Sequence, residues 1–208
     1  MRLFVTGASG FLGRAFAEAA LVQGHDVHAL VRRPSAALEH MGLQPVVRDI
    51  LELTAEDLPG ALEAVVHFAT GVDGDEDHVV EVAVEGTLRL LEAARARDVA
   101  RLVHVSSMSV YSSRAARREL EPHPEARGAY ARSKVLAEAA LLERLRAEPD
   151  PGLEVTVIRP GLVFGPGMTS ALAGTAVELP LGLSVGLGRR RQGVPFVTAA
   201  DLNAGILS

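Results

Sequence analysis

Short apolar runs alternate with longer stretches of helical spacing along this chain. Arg2–Thr6 (RLFVT) reads as a buried strand. Over 10–23, Phe11, Leu12, Ala15, Phe16, Ala19 and Ala20 recur at the spacing of one helix face, and Gly24 supplies a stop. Further strands are predicted at 26–31, 45–47, 64–69, 101–106 and 154–159. Helices are predicted over 79–98, with Val79, Val82, Ala83, Gly86, Leu90 and Ala94 near one face, and over 129–147. The strands are near-continuous apolar runs, the pattern of strands covered on both faces. Strands alternating with helices imply parallel pairing and right-handed crossovers. The predicted fold class is therefore α/β, a doubly wound parallel sheet. The polar stretches 71–77 (GVDGDED) and 112–128 read as loops after the fourth and fifth strands. Loops at the carboxyl ends of such strands are where ligands bind in this architecture. The apolar stretch 171–188 is glycine-rich and interrupted by Glu178 and Pro180, so it reads as a buried or flexible loop.

Two motifs carry chemistry. Directly after the first strand, TGASGFLG at 6–13 opens the first helix. Gly7 suits a tight turn, Gly10 a close approach of backbone to a pyrophosphate, and Gly13 close packing of helix on sheet. The helix N-terminus then offers unpaired N–H groups and a positive dipole end to phosphates. This is the dinucleotide-binding pattern of a Rossmann-type sheet. Where NAD-binding versions place an acid, the second strand ends Val31-Arg32-Arg33. A guanidinium pairs with a 2′-phosphate in forked geometry, so NADP is expected, led by Arg32, with NAD possible. Farther on, Tyr130 and Lys134 stand four apart on a predicted helix, hence on one face. An ammonium beside a phenol favours the phenolate, so Lys134 is expected to lower the pKa of Tyr130. Ser106-Ser107 end the fifth strand nearby, and Ser107 is placed to hold a substrate oxygen beside Tyr130.

Composition narrows the picture. The chain has 208 residues, 48% of them hydrophobic, enough for one domain with a small appendage. A net charge of -5 gives no reason to expect nucleic acid or an anionic membrane as partner. Without cysteine there are no disulfides and no thiolate zinc site, and the seven histidines lack metal-ligand spacing. The acidic run 73–77 lacks the EF-hand spacing. Arg189-Arg190-Arg191 fits either a phosphorylated substrate or a solvated turn. The apolar run at 1–6 is too short for a signal-peptide core, and no stretch suits a membrane span, so a cytoplasmic, soluble protein is expected.

Eight segments occur together: TGASGFLG at 6–13, RDI at 48–50, VVHFAT at 65–70, VEGTLRLLEAA at 84–94, VSSMSVY at 105–111, YARSK at 130–134, IRPGLVFGPG at 158–167 and FVTAADL at 196–202. In these the chain resembles the extended short-chain dehydrogenase/reductase family, which includes the NAD-dependent epimerase/dehydratase group. The resemblance implies that Gly7, Ser9, Gly10, Phe11, Leu12 and Gly13 hold the dinucleotide, that Asp49 and Ile50 meet the adenine, and that Ala69 and Thr70 line the cofactor. It implies that Ser107, Tyr130 and Lys134 are catalytic, with Lys134 also on the nicotinamide ribose, and that the Arg159-Pro160-Gly161 segment passes near the nicotinamide with Val163 following. Read without the family, Asp49 is equally a strand-end or helix-capping acid. Residues 1–160 would form the dinucleotide-binding domain and 161–208 part of a substrate-binding segment.

Three departures qualify the resemblance. Ala83 stands where the family usually carries asparagine. Met108-Ser109 follow Ser107 where family dehydratases place an Asp-Glu pair, which disfavours dehydration. The sequence ends at Ser208, before the rest of a substrate domain, so it is either a fragment or has a reduced substrate site. The expected activity is hydride transfer between the nicotinamide and a carbonyl or secondary alcohol carbon of a small molecule. A nucleotide-sugar epimerase is the enzymatic alternative, and a non-catalytic dinucleotide sensor or scaffold the alternative of another class. The resemblance also implies a homodimer through the helices that start at 79 and 129.

Overall fold

Six parallel strands line up in the order β3-β2-β1-β4-β5-β6: β1 (Arg2–Thr6), β2 (Asp26–Val31), β3 (Gln44–Val47), β4 (Ala64–His67), β5 (Arg101–Val105) and β6 (Glu154–Ile158). This computed structural model describes residues 1–70, 74–111, 128–168, 176–179, 183–186 and 195–208. The chain runs outward from β1 to β3, then crosses back to β4 on the other side of β1. The reversal opens a crevice at the carboxyl ends of β1 and β4, the usual ligand position in such sheets.

Strand alternation sends side chains to two apolar layers. Leu3, Val5, Val66 and Val105 pack with Phe16, Ala17 and Ala20 of α1 (Phe11–Val22). Phe4, Val65 and Leu102 pack on the opposite face with Leu90, Leu91 and Ala94 of α3 (Glu76–Ala96) and Leu141 of α4 (Ala129–Ala147). Two residues beyond Phe4, Val65 and Leu102, on this second face, come Thr6, His67 and His104, all buried. The polar groups are thus concentrated at the carboxyl end, beneath α3 and α4. The opposite end of the sheet is tied by surface pairs such as Arg2 Nε to Asp26 Oδ2 at 2.7 Å.

The elements differ from expectation in three places. The acid-rich 71–77 is not loop throughout: α3 begins at Glu76, capped by Asp75, whose side chain accepts from His78 N at 2.9 Å. The acids lie at the positive end of the helix dipole, where they stabilise it; residues 71–73 lie outside the described residues. The stretch 171–188 contains an antiparallel pair, β8 (Ala176–Leu179) and β9 (Leu183–Gly186). Its two four-residue segments, AVEL and LSVG, form strands despite the glycines around them. Finally, β7 (Leu162–Phe164) pairs in parallel with β10 (Phe196–Thr198), which leads into α5 (Ala199–Leu207). Thr198 caps α5, accepting from Asp201 N at 3.1 Å. Helix α5 lies on α1, with Asn203 Nδ2 donating to Ala15 O at 3.0 Å. A five-residue helix, α2 (Ala36–His40), precedes β3.

Candidate active site

The glycine turn is built by close approach. Gly7 has a φ of +75°, and a Cβ there would lie 2.7 Å from Ala69 N. A Cβ on Gly13 would lie 2.4 Å from Gly7 O. Both positions exclude any side chain. The turn closes through Gly10 N donating to Gly7 O at 2.9 Å. Gly10 gives α1 no side-chain cap, so the first N–H groups of that helix remain for a ligand.

Two adjoining hollows share Gly7, Gly10, Phe68 and Thr70. The first, about 240 Å³, is lined by Ser9, Arg32, Arg48, Asp49, Ile50, Ala69 and His78, among others. The second, about 190 Å³, reaches Phe11, Leu12, Gly13, Ser106, Tyr130 and Lys134. The structure therefore gathers the predicted cofactor residues along one crevice, except Pro160 and Val163. The carbonyl of Pro160 accepts from Met108 N at 2.9 Å, bracing the Ser107 turn. Val163 is buried with Ala199 and Leu202 against Phe11 and Leu12. Asp49 lines the hollow and caps the following 3₁₀ turn, accepting from Leu51 N at 2.9 Å.

Tyr130 stands at the start of α4, after Gly128, whose φ of +87° turns the chain into the helix. It is 45% exposed, and the Ser107 side chain is close enough to act on its hydroxyl. Lys134, one turn on, is buried, with Nζ donating to the Val105 carbonyl at 2.9 Å and lying 6.0 Å from the Tyr130 ring centroid. The expected lowering of the phenol pKa is reversed. Desolvation raises the Tyr130 pKa, and the neighbouring Ser107 side chain opposes the rise. Lys134 is the group that moves down, to about 8, because burial disfavours its charge more than Glu138 favours it. The sequence reading counted the ammonium and not the burial. Lys134 is also the only lysine of the chain, beside 20 arginines.

Behind the crevice a buried hydrogen-bond relay runs from Ala69 to the carbonyl of Ala83. Ala69 N donates to Thr6 Oγ1 at 3.1 Å, and Thr6 Oγ1 lies 2.6 Å from His67 Nδ1. His67 Nε2 lies 3.0 Å from Thr87 Oγ1, which donates to Ala83 O at 2.6 Å. Thr87 has used its proton, so His67 donates from Nε2 and accepts from Thr6 at Nδ1, a tautomer assigned by the network. Burial holds the His67 pKa at about 3, so the ring stays neutral. His104 packs 5.2 Å away, also held well below its usual value by burial, and neither ring nitrogen has a partner among the described residues.

Several residues of the site escaped the sequence reading. Arg48 lies in the RDI segment, and its N–H donates to Val31 O at 3.0 Å, which seats it beside the strand end that precedes Arg32. Its guanidinium is held by Asp57 at 3.1 Å. Phe68 and His78 line the hollow from β4 and α3. The buried Glu138 and the half-buried Tyr111 form a cluster with Arg159, whose segment was expected near the nicotinamide. The predicted loop at 112–127 and the basic cluster 189–191 lie outside the described residues. Among the described residues no three His, Cys, Asp or Glu side chains group as metal ligands, and no helix is long and apolar enough to cross a membrane.

A doubly wound sheet with a glycine turn at its switch point, and a Ser-Tyr-Lys set beside it, defines a dinucleotide-fold protein. Residues 3–207 match the NAD dependent epimerase/dehydratase family, and the chain belongs to that family. It is similar to the sterol demethylase protein B of Methylococcus capsulatus, 32% identical over 98% of this chain and 64% of the relative. It is also similar to the 2-alkyl-3-oxoalkanoate reductase of Stenotrophomonas maltophilia, 30% identical over 80% of this chain and 52% of the relative. Among solved structures, MoeE5 in complex with UDP-glucose and NAD superposes with a TM-score of 0.74 at 25% identity, covering 100% of this chain and 71% of that one. The chain thus spans half to two thirds of the length of these curated relatives.

Proposed function

We propose that this chain carries the dinucleotide site of an NAD(P)-dependent oxidoreductase acting on a carbonyl or secondary alcohol carbon of a small molecule. The observation that carries this reading is that Tyr130, Lys134 and Ser106, the neighbour of Ser107, line one hollow with the glycine turn. Residues 1–160 bind the dinucleotide, and 161–208 begin the substrate-binding part. The glycine turn fits the group: the space a Cβ would fill at Gly7 and Gly13 is taken by backbone, and the bare helix end faces the crevice. When bound, the nicotinamide accepts or supplies the hydride.

Gly7, Ser9, Gly10, Phe11, Leu12 and Gly13 hold the pyrophosphate side, and Asp49, Ile50, Ala69 and Thr70 the adenosine side. Ser107 orients the substrate oxygen. Tyr130, with its pKa raised, is protonated at neutral pH and donates to a carbonyl oxygen during reduction. Lys134 anchors the nicotinamide ribose. NADP is the preferred dinucleotide, because Arg32 and Arg48 flank the adenosine end and the residues ending β2 carry no carboxylate. Parallel calorimetric titration with NADPH and NADH tests this: tighter NADPH binding is expected, and binding of neither sinks the oxidoreductase reading.

A second reading, a nucleotide-sugar epimerase, draws on the likeness to MoeE5, a structure containing UDP-glucose and NAD. The same residues then oxidise and re-reduce one sugar carbon, and net consumption of dinucleotide separates the two. The working unit is a homodimer through α3 and α4, where Leu136 is 37% exposed; a sedimentation mass equal to one chain rejects it.

A further inference from the structure

Lys134 and Glu138 lie one helical turn apart on α4, at 3% and 0% exposure. Charges that deep require partners. Lys134 donates to the carbonyl of Val105, two residues before Ser107. Glu138 accepts from Arg159 three times: Nε lies 3.0 Å from each carboxylate oxygen, and Nη2 lies 2.6 Å from Oε2. Arg159 follows β6 directly. Its Nη1 donates to the Tyr111 hydroxyl at 2.7 Å, and the guanidinium lies 5.4 Å from that ring's centroid. Tyr111 ends the 3₁₀ turn that Ser107 begins. One carboxylate therefore joins the helix of Tyr130 and Lys134, the end of β6, and the turn of Ser107.

Glu138 does not line the crevice, so it does not meet substrate or dinucleotide. It stands four residues from Lys134 on the same helix, hence on the same face, and its charge opposes the effect of burial on that amine. The other titratable groups around that amine are His67 from β4 and His104 from β5, both neutral, Tyr130 from α4 itself, and Arg159 behind the carboxylate. Among the described residues, Glu138 is the anion that acts on Lys134.

We propose that Glu138 is a positioning residue: clamped by Arg159, its carboxylate keeps the Lys134 ammonium charged beside Tyr130 and ties that pair to the Ser107 turn through Tyr111. The significance of this role rests on the oxidoreductase reading; the charge relation itself does not.

Since Lys134 is the only lysine, protein grown with isotope-labelled lysine gives a single side-chain ammonium signal, and its pH midpoint can be followed by NMR. In the parent the midpoint should fall near 8. Glu138→Gln should lower it by about one pH unit or more, because burial then acts unopposed. Glu138→Asp, which keeps the charge but draws it back, should lower it by less. A purely structural Glu138 would leave the midpoint unmoved in any variant that folds, and that result overturns the proposal. If the glutamine variant does not fold, the aspartate variant decides on the same criterion. Dinucleotide titration of the same samples separates the claims. A moved midpoint in a chain that binds neither NADPH nor NADH sustains the Glu138–Lys134 relation and removes the enzyme. Tight binding with an unmoved midpoint overturns Glu138 alone.

Discussion

Arg48 and Arg159 each hold a carboxylate, and they stand at opposite ends of the crevice. The side chain of Arg48 is 44% exposed and that of its partner Asp57 14%. Arg159 is 20% exposed and grips a carboxylate that is fully buried. Water screens the first pair more than the second, so the two serve different ends. An exposed ion pair contributes about 0–1 kcal/mol, and its cation can be recruited by a ligand at little cost to the fold. A buried carboxylate stripped of its partner costs about 3–5 kcal/mol, so its cation is committed to the structure. Charge at the adenosine end is available for selectivity; charge at the chemical end fixes geometry.

The comparison can be tested where it should be sharpest. Tyr130→Phe removes the proton donor and should reduce turnover by about 10²–10⁴-fold while leaving NADPH affinity near the parent value, as measured by kinetics and calorimetry on one preparation. Retained turnover would remove Tyr130 from the chemistry. Arg159→Ala should lower the unfolding free energy by about 3–5 kcal/mol in urea, against about 0–1 kcal/mol for Arg48→Ala. Equal losses would mean that the two ends are not distinct.

Acid should act on the buried end first. His67 titrates near 3 when folded against 6.5 when free, so the unfolded chain takes up the proton earlier and stability falls as pH drops below about 6.5. Lys134, at about 8 when folded against 10.5, has the same sign: stability rises between those values. A melting temperature flat from pH 5 to pH 7 would contradict the buried, neutral His67. The smallest effect belongs to the exposed end. Arg32→Asp should shift the NADPH to NADH affinity ratio about tenfold towards NADH, and Arg48→Gln by less, both shifts shrinking as salt is raised. A ratio unchanged in both variants would leave the crevice without a reader of the 2′-phosphate.

What could be read from the chain followed the range of each interaction. The six sheet strands were legible because each is an apolar run, and the glycine turn because its residues are local. Helix α5 was missed although Thr198 and Asp201 carry a capping pattern three apart. The Glu138–Arg159 pair links residues 21 apart, and Tyr111 lies 48 from Arg159, so no spacing rule exposes them. The direction of the Tyr130 shift depends on how much protein surrounds the phenol, which spacing alone does not report.

The solitary, buried Lys134 has a consequence for handling the protein. Within these 208 residues, an amine-directed reagent finds only the terminal amino group and this one side chain. A second modification per chain thus registers the reagent reaching the floor of the crevice. A ligand seated above Lys134 should slow that second event and spare the first.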